Sequence, residues 1–330
     1  MEVKAPATNQ AFSAKLKKIF ARTEISALIA LLAIALLTGI ANKAFFTASS
    51  IINLFRAVAL DMVPCIGITF CLASGEIDLS SGSMVALSGI IVGGAQEVLH
   101  WATWPAVFAA VAVGVIGGIM AGFIICQFNI PPMIATLGMQ QIYTGLVNVV
   151  TGGRPYALMN PDFNKFGSGN FLGIPYSIYV AAIFVLIGYF VMNHTTLGRS
   201  FIAVGGNAET ARLAGISSYK HKLMVHALAG GTFAVGGIIY TARMGSANIN
   251  VGASLQMNAI AACVIGGTSI GGGSPTVFGT VIGLTLMTLL MVALTYVKVD
   301  VYWQKVVLGV IIVGAVAIDT AKRASMLNMK

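Results

Sequence analysis

Ten apolar runs succeed one another along this chain, and most of them are long enough to need a hydrocarbon solvent. They lie at about 25–40, 57–75, 83–96, 104–127, 133–151, 176–193, 224–242, 256–271, 277–296 and 304–319. A helix needs about 20 apolar residues to cross a bilayer. The runs lack the two-residue alternation of a barrel strand and exceed its length, so a β-barrel is excluded. Only 9% of the 330 residues are charged, against about 25% in an ordinary soluble domain. So few charges cannot cover a soluble surface, which excludes a soluble enzyme, a disordered chain and a secreted disulfide scaffold. The expected fold is an all-α, polytopic helical membrane protein of about ten transmembrane helices. The runs 83–96 and 256–271 are short enough to be broken or re-entrant. A basic tail over 1–23, one transmembrane domain over 24–319 and a second tail over 320–330 complete the expected organisation. The tail carries Lys4, Lys15, Lys17, Lys18 and Arg22. A basic stretch before an apolar run also describes a signal peptide, but the later helices need an anchored first one to set their orientation.

The charges test that scheme. With the N-terminus inside and ten crossings, 12 of the 19 basic residues fall on the inner side. They lie in the first tail, in the loop 194–223 (Arg199, Arg212, Lys220, Lys222) and in the last tail (Lys322, Arg323, Lys330). The positive-inside rule then puts both termini in the cytoplasm. The net charge of +9 reads as topology and contact with anionic lipid heads, with no call for nucleic acid. Cys65, Cys71, Cys126 and Cys263 read as small buried hydrophobes. His100, His194, His221 and His226 form no ligand set, so neither a metal nor a cofactor is expected.

Several stretches are more specific. Gly114, Gly118 and Gly122 share one helix face, a pattern for close helix contact in lipid. Glu76 and Asp78 interrupt two apolar runs; they read as hydrated carboxylates at the inner face, with a cation or proton site as the alternative. Ser80, Ser81 and Ser83 can cap the helix that follows. Asp61 lies inside an apolar run, three residues before Pro64, and either lines a polar path or makes a structural hydrogen bond. Pro131 and Pro132 suit a helix start. Gln140, Gln141, Tyr143 and Asn148 then put uncharged donors and acceptors in the membrane, suited to a polyol path or to helix packing. With Asp61 and Asn258 they form the candidate translocation path. The glycine-rich stretch 265–280 cannot be a plain helix and must be buried in protein or line a cavity. It has no Walker A pattern, so any ATPase is a separate chain. In the inner loop, Asn207 can cap a short helix with Glu209 in its first turn, Gly215 can end it, and Ser218 can start the next helix. Such a loop is either a docking surface or an ordinary connector.

The segments Ser74-Gly-Glu-Ile-Asp-Leu-Ser-Ser-Gly-Ser83, Asn129-Ile-Pro-Pro132 with Thr136-Leu-Gly-Met139, Thr196 through Ile216, and Gly266-Gly-Thr-Ser269 through Thr280 occur in that order. Together they resemble the motifs of the permease subunits of bacterial ATP-binding-cassette importers for simple sugars, over about Phe45 to Asp319. The resemblance implies a permease of the bacterial inner membrane that performs no covalent chemistry. It passes a monosaccharide or similar small neutral polyol. Its implied partners are a cytoplasmic ABC ATPase, a periplasmic or extracellular sugar-binding protein and a second permease, identical or related. It also implies that Gly198, Arg199, Gly205, Gly206, Asn207, Glu209, Ala211 and Gly215 belong to the loop that couples to the ATPase. Arg199 and Arg212 would be available there for charge pairs. Three positions depart from the pattern: Glu76 replaces a usual Gly, Ser81 a usual Val, and Ser274-Pro275 stands where a polar residue and Gly are common. A secondary transporter is the main rival, and it would need a convincing buried charge site.

Overall fold

The computed structural model describes residues 23–158 and 160–327. The expected basic tail up to Arg22 and the final residues 328–330 lie outside the described residues. Thirteen α-helices occur among the described residues. The first five are α1 (Thr23–Ala41), α2 (Ala48–Ala73), α3 (Ser81–Glu97), α4 (Thr103–Phe128) and α5 (Pro132–Thr151). Next come α6 (Pro161–Ser168), α7 (Tyr176–His194), α8 (Thr196–Gly206), α9 (Ala208–Leu213) and α10 (Ser218–Met244). The last are α11 (Leu255–Ile265), α12 (Val277–Tyr296) and α13 (Val301–Leu327). Two small strand pairs stand beside them: β1 (Tyr156–Ala157) with β4 (Ser246–Ala247), and β2 (Asn170–Phe171) with β3 (Ile174–Pro175).

Every expected apolar run contributes a helix, but fewer than the expected ten are long and apolar enough to span a bilayer as single helices. Among the described residues six are long and apolar enough to cross a bilayer by length and composition: α1, α2, α4, α7, α10 and α12. The others fall short for visible reasons. With 17 residues, α3 reaches only about 25 Å, against about 30 Å of hydrocarbon. With 11 residues, α11 reaches about 16 Å. In α5 the apolar content is diluted by Thr136, Gln140, Gln141, Thr144 and Asn148.

The two short helices continue as irregular chain. Residues 76–80 precede α3 with no regular structure, and turns over 249–254 precede α11. The first turn of α3 meets the turns before α11: a Cβ on Gly82 would lie 2.1 Å from the Gly252 carbonyl oxygen. The glycine-rich stretch behaves as expected, since the helix stops at Ile265 and restarts at Val277. The broken backbone between them is held within the protein, with Thr268 Oγ1 accepting from the Thr276 amide at 3.1 Å.

Glycines set the helix contacts. A Cβ on Gly118 would lie 1.9 Å from the His226 carbonyl oxygen, and one on Gly230 would lie 2.1 Å from that of Gly114. So α4 and α10 touch backbone to backbone, as the spacing of Gly114, Gly118 and Gly122 predicts. Gly236 takes the ring of Pro64 from α2, and Gly237 takes the Val85 carbonyl from α3. Helices α2, α3, α10 and α11 thus form the centre, where Ile66, Leu72, Met84, Phe233 and Cys263 are fully or almost fully buried. Helix α1 instead turns Leu28, Leu32, Leu36, Leu37 and Ile40 outward. An outward apolar face is what a bilayer rewards.

Loops that the charge pattern assigns to one side gather at one end of the molecule. At the inner-assigned end, Ala73, Gly205 and Gly273 are in backbone contact, and the Gly273 amide donates to the Ala73 carbonyl at 3.0 Å. At the opposite end, Ser50 bonds Tyr296 at 2.6 Å, Arg56 donates to Asn170 at 3.2 Å, and Asn160 donates to Gln96 at 3.0 Å.

Candidate functional site

Three groups of residues bear on function. The first is the inner loop. Thr195 caps α8, its Oγ1 accepting from the Gly198 amide at 3.2 Å. Gly198 is buried against the end of α7, where a Cβ would lie 2.3 Å from the Val191 carbonyl oxygen. Asn207 caps α9 as expected, its Oδ1 accepting from the Thr210 amide at 2.9 Å. Glu209 sits in the first turn and Arg212 in the last. Gly215 has φ of +82°, the left-handed conformation that ends a helix cheaply only for Gly. The Ile216 amide then closes on the Ala211 carbonyl at 2.9 Å. Helix α10 begins at Ser218, with Ser217 rather than Ser218 as the capping side chain.

Of the eight residues named for this loop, Gly198 and Ala211 are buried and Gly205 is half-buried, so these three position the loop. Arg199, Gly206, Asn207, Glu209 and Gly215 are exposed, together with Leu213. Arg212 is already engaged: it meets Glu209 at 2.6 Å, and its guanidinium holds that carboxyl below the usual carboxylate range. Arg199 is exposed, and no ion pair to it occurs among the described residues.

The second group is the candidate path, and the structure disperses it. Asp61 accepts a hydrogen bond from the Tyr240 hydroxyl, which ties α2 to α10 and favours the structural reading of that residue. Tyr143 is buried against Gly117 of α4, where a Cβ would lie 2.9 Å from its hydroxyl. Asn258 is half-buried on α11, with no partner for its Oδ1 among the described residues. Gln140 is half-buried, whereas Gln141 and Asn148 are exposed on α5. Gly138 and Gly145, which share that face with them, would have nothing within 4 Å of an added Cβ. Gln141, Asn148, Gly138 and Gly145 therefore form a stripe on an uncovered face of α5, flanked by the exposed Ile134, Leu137 and Val149.

The third group was missed. Glu76 and Asp78 are not hydrated: they are 1% and 3% exposed. Glu76 pairs with Lys222 at 2.6 Å. His226, fully buried on α10, stands between the carboxylates, with Nδ1 3.2 Å from Asp78 and Nε2 3.5 Å from Glu76. The Nδ1–Asp78 contact is a hydrogen bond, whereas His226 Nε2 and Glu76 Oε2 make none among the described residues. Ser80 occupies the cap position of α3 without capping it, because its amide and hydroxyl both bond Asp78, at 2.8 and 2.7 Å. On the other flank, Thr136 of α5 accepts from the Leu79 amide at 3.1 Å and lies 3.1 Å from the Ile77 carbonyl. Ligand atoms of Cys71, Asp78 and His226 fall within 4.8 Å of one another, but Asp78 and His226 already satisfy each other without an ion. One signal was present in the sequence: Lys222 and His226 sit one helical turn apart, on the same face.

Comparison with known proteins covers nearly the whole chain. The family described as "Branched-chain amino acid transport system / permease component" matches residues 50–316. The chain is 34% identical over 304 residues to the ribose import permease protein RbsC of Escherichia coli, covering 91% of this chain and 94% of the relative. It is 35% identical over 303 residues to RbsC of Bacillus subtilis, covering 90% and 92%. It is 32% identical over 301 residues to the galactose/methyl galactoside import permease protein MglC of Salmonella typhimurium, covering 86% and 90%. No solved structure matches.

Proposed function

This chain belongs to the family described as branched-chain amino acid transport system / permease component, and we propose that it is the membrane subunit of an ABC importer for a monosaccharide or similar small neutral polyol. The family is one of transport permeases without catalysis of their own, and ATP hydrolysis resides in a separate subunit. A neutral sugar is favoured over a charged amino acid by the relatives, which are named for ribose and galactose import.

The observation that carries the reading is the stripe on α5. Gln141 and Asn148 are exposed on a helix at membrane depth, beside Gly138 and Gly145. Moving an unpartnered amide into a solvent that cannot hydrogen-bond costs roughly 4–8 kcal/mol, and less for Asn148, whose Nδ2 donates to the Thr144 carbonyl at 3.0 Å. Two such groups do not face lipid while Leu28 and Leu32 on α1 do. They face a water-containing space between this chain and a second permease, identical or related. Uncharged amides there exchange hydrogen bonds with a polyol and leave charged solutes unpaired.

The remaining assignments follow the same scheme. Ten crossings are supported by the gathering of alternate loops at opposite ends, with 76–80 and 249–254 completing the crossings that α3 and α11 begin. Both termini are cytoplasmic and the membrane is the bacterial inner membrane, by the charge bias. A loaded sugar-binding protein docks on the outer end and releases sugar between the permeases. The ATPase binds the face made by Arg199, Asn207 and α9 and switches the space between outward and inward openings. Replacing Gln141 and Asn148 together by leucine is expected to lower ATP-dependent sugar uptake about tenfold or more, one lost hydrogen bond being worth about 1–1.5 kcal/mol. The amount of assembled transporter should stay unchanged. Full uptake by the double variant in proteoliposomes would remove α5 from the path.

A further inference from the structure

At the end of the molecule where α8 lies, three stretches of irregular or helix-terminal backbone press together without side chains between them. A Cβ on Gly205 would lie 2.0 Å from the Ala73 carbonyl oxygen. A Cβ on Gly272 would lie 2.6 Å from the Gly205 carbonyl oxygen and 2.8 Å from the Gly75 amide. Backbone atoms in such contact cannot yield by rotamer change, so a shift of the α8–α9 loop must move the stretch that follows α2. That stretch, 76–80, has one anchor on each flank. Thr136 of α5 holds it on one side. Lys222 and His226 of α10 hold it on the other, through Glu76 and Asp78.

We propose that Glu76, Asp78, Lys222 and His226 are positioning residues of the transport cycle: an ionic clasp that keeps 76–80 taut against α10, so that movement of the coupling loop reaches α5. The inference rests on the importer reading, in which that loop receives the ATPase and α5 lines the path. A clasp for stability alone is a poor use of three buried ionisable groups and a half-buried lysine, because apolar residues of similar volume usually hold a core at least as well. What charges add is one fixed arrangement. The carboxylate at position 76 is moreover an addition to the signature that this segment resembles. Its two basic neighbours come from consecutive turns of α10, Lys222 at 2.6 Å and His226 at 3.5 Å.

The test uses the full chain assembled with its ATPase and sugar-binding protein in proteoliposomes, and reads sugar moved per ATP hydrolysed. Glu76→Gln and Lys222→Met are each expected to lower that ratio roughly tenfold while ATP hydrolysis continues. The double reversal Glu76→Lys with Lys222→Glu is expected to recover most of it. An unchanged ratio in the single variants, or a reversal no better than they are, overturns the clasp. If the single variants do not assemble, Thr136→Val decides: it frees the opposite flank with every charge in place and should uncouple in the same way, and an intact ratio overturns the proposal. A wild-type ratio that falls on adding a strong zinc chelator would also overturn it, in favour of a metal at Cys71, Asp78 and His226. Wild-type complexes that hydrolyse ATP with no uptake of any sugar would sink the importer reading itself, and the clasp with it. Coupled wild type with coupled variants sinks the clasp alone.

Discussion

Substituting alanine for Gly118 is expected to destabilise the protein by about 3 kcal/mol, whereas the same change at Gly138 is expected to be neutral or mildly stabilising. At position 118 the new methyl carbon would lie 1.9 Å from the His226 carbonyl oxygen, 2.7 Å from its carbon and 3.2 Å from the Ala227 Cα. All three are backbone atoms of α10, so no side chain can rotate out of the way. Overfilling a packed core costs about 1–3 kcal/mol when neighbours can shift, and contact with backbone belongs at the upper end. In lipid the close approach of helices is itself the main source of association, so separating α4 from α10 removes attraction along the whole seam. At position 138 nothing lies within 4 Å, and Ala is the better helix former by about 1 kcal/mol. Thermal unfolding of the two variants in one detergent measures the contrast. Equal melting temperatures would contradict the packing described for α4 and α10.

Replacing residues 207–215 by a flexible linker of equal length is expected to abolish both ATPase co-purification and ATP-dependent uptake. The segment is held to the body at few points: Ala211 is buried, and the Asn207 cap and the Gly215 turn are local. Losing the cap alone costs about 1 kcal/mol of helix stability, which a six-residue helix cannot spare. The exposed Leu213 and the Glu209–Arg212 pair are removed with it, and Arg199 on α8 is left without the rest of the face. The helices that cross the membrane do not depend on this segment, so the variant should remain folded and membrane-inserted. Normal ATPase binding by a folded variant would move the docking face elsewhere.

What the sequence disclosed, and what it withheld, follows from the range of the interactions. Local chemistry was legible. Asn207, Glu209 and Gly215 lie within nine residues of one another and built the expected capped helix. Pro131 and Pro132 opened α5, and the glycines after Ile265 broke their helix where composition requires it. The apolar runs located every long helix because burial in lipid needs only length and the absence of charge. The count of spanning helices was less legible, since the apolar runs at α3 and α11 fold into helices too short to cross a bilayer alone. Pairing across the chain was illegible. Asp78 meets His226 at a separation of 148 residues, and Thr136 reaches the backbone near 77–79 across 57 and 59. A carboxylate between two apolar runs looks hydrated until its cations are known to lie beside it. The candidate path suffered in the same way: periodicity put Gln141 and Asn148 on one face of α5, but only the packed helices reveal that this face is uncovered while Tyr143 is enclosed.

The central claim is that this chain moves a neutral sugar only as part of an ATP-driven complex. Its most direct measurement is uptake into proteoliposomes holding the chain with its co-purified ATPase, with binding protein and a panel of labelled pentoses and hexoses outside and ATP inside. The account predicts that one sugar accumulates against its gradient, that accumulation needs both ATP and binding protein, and that it disappears when either is withheld. Equilibration of sugar by the chain alone, without ATP, would contradict the account and make the protein a facilitator.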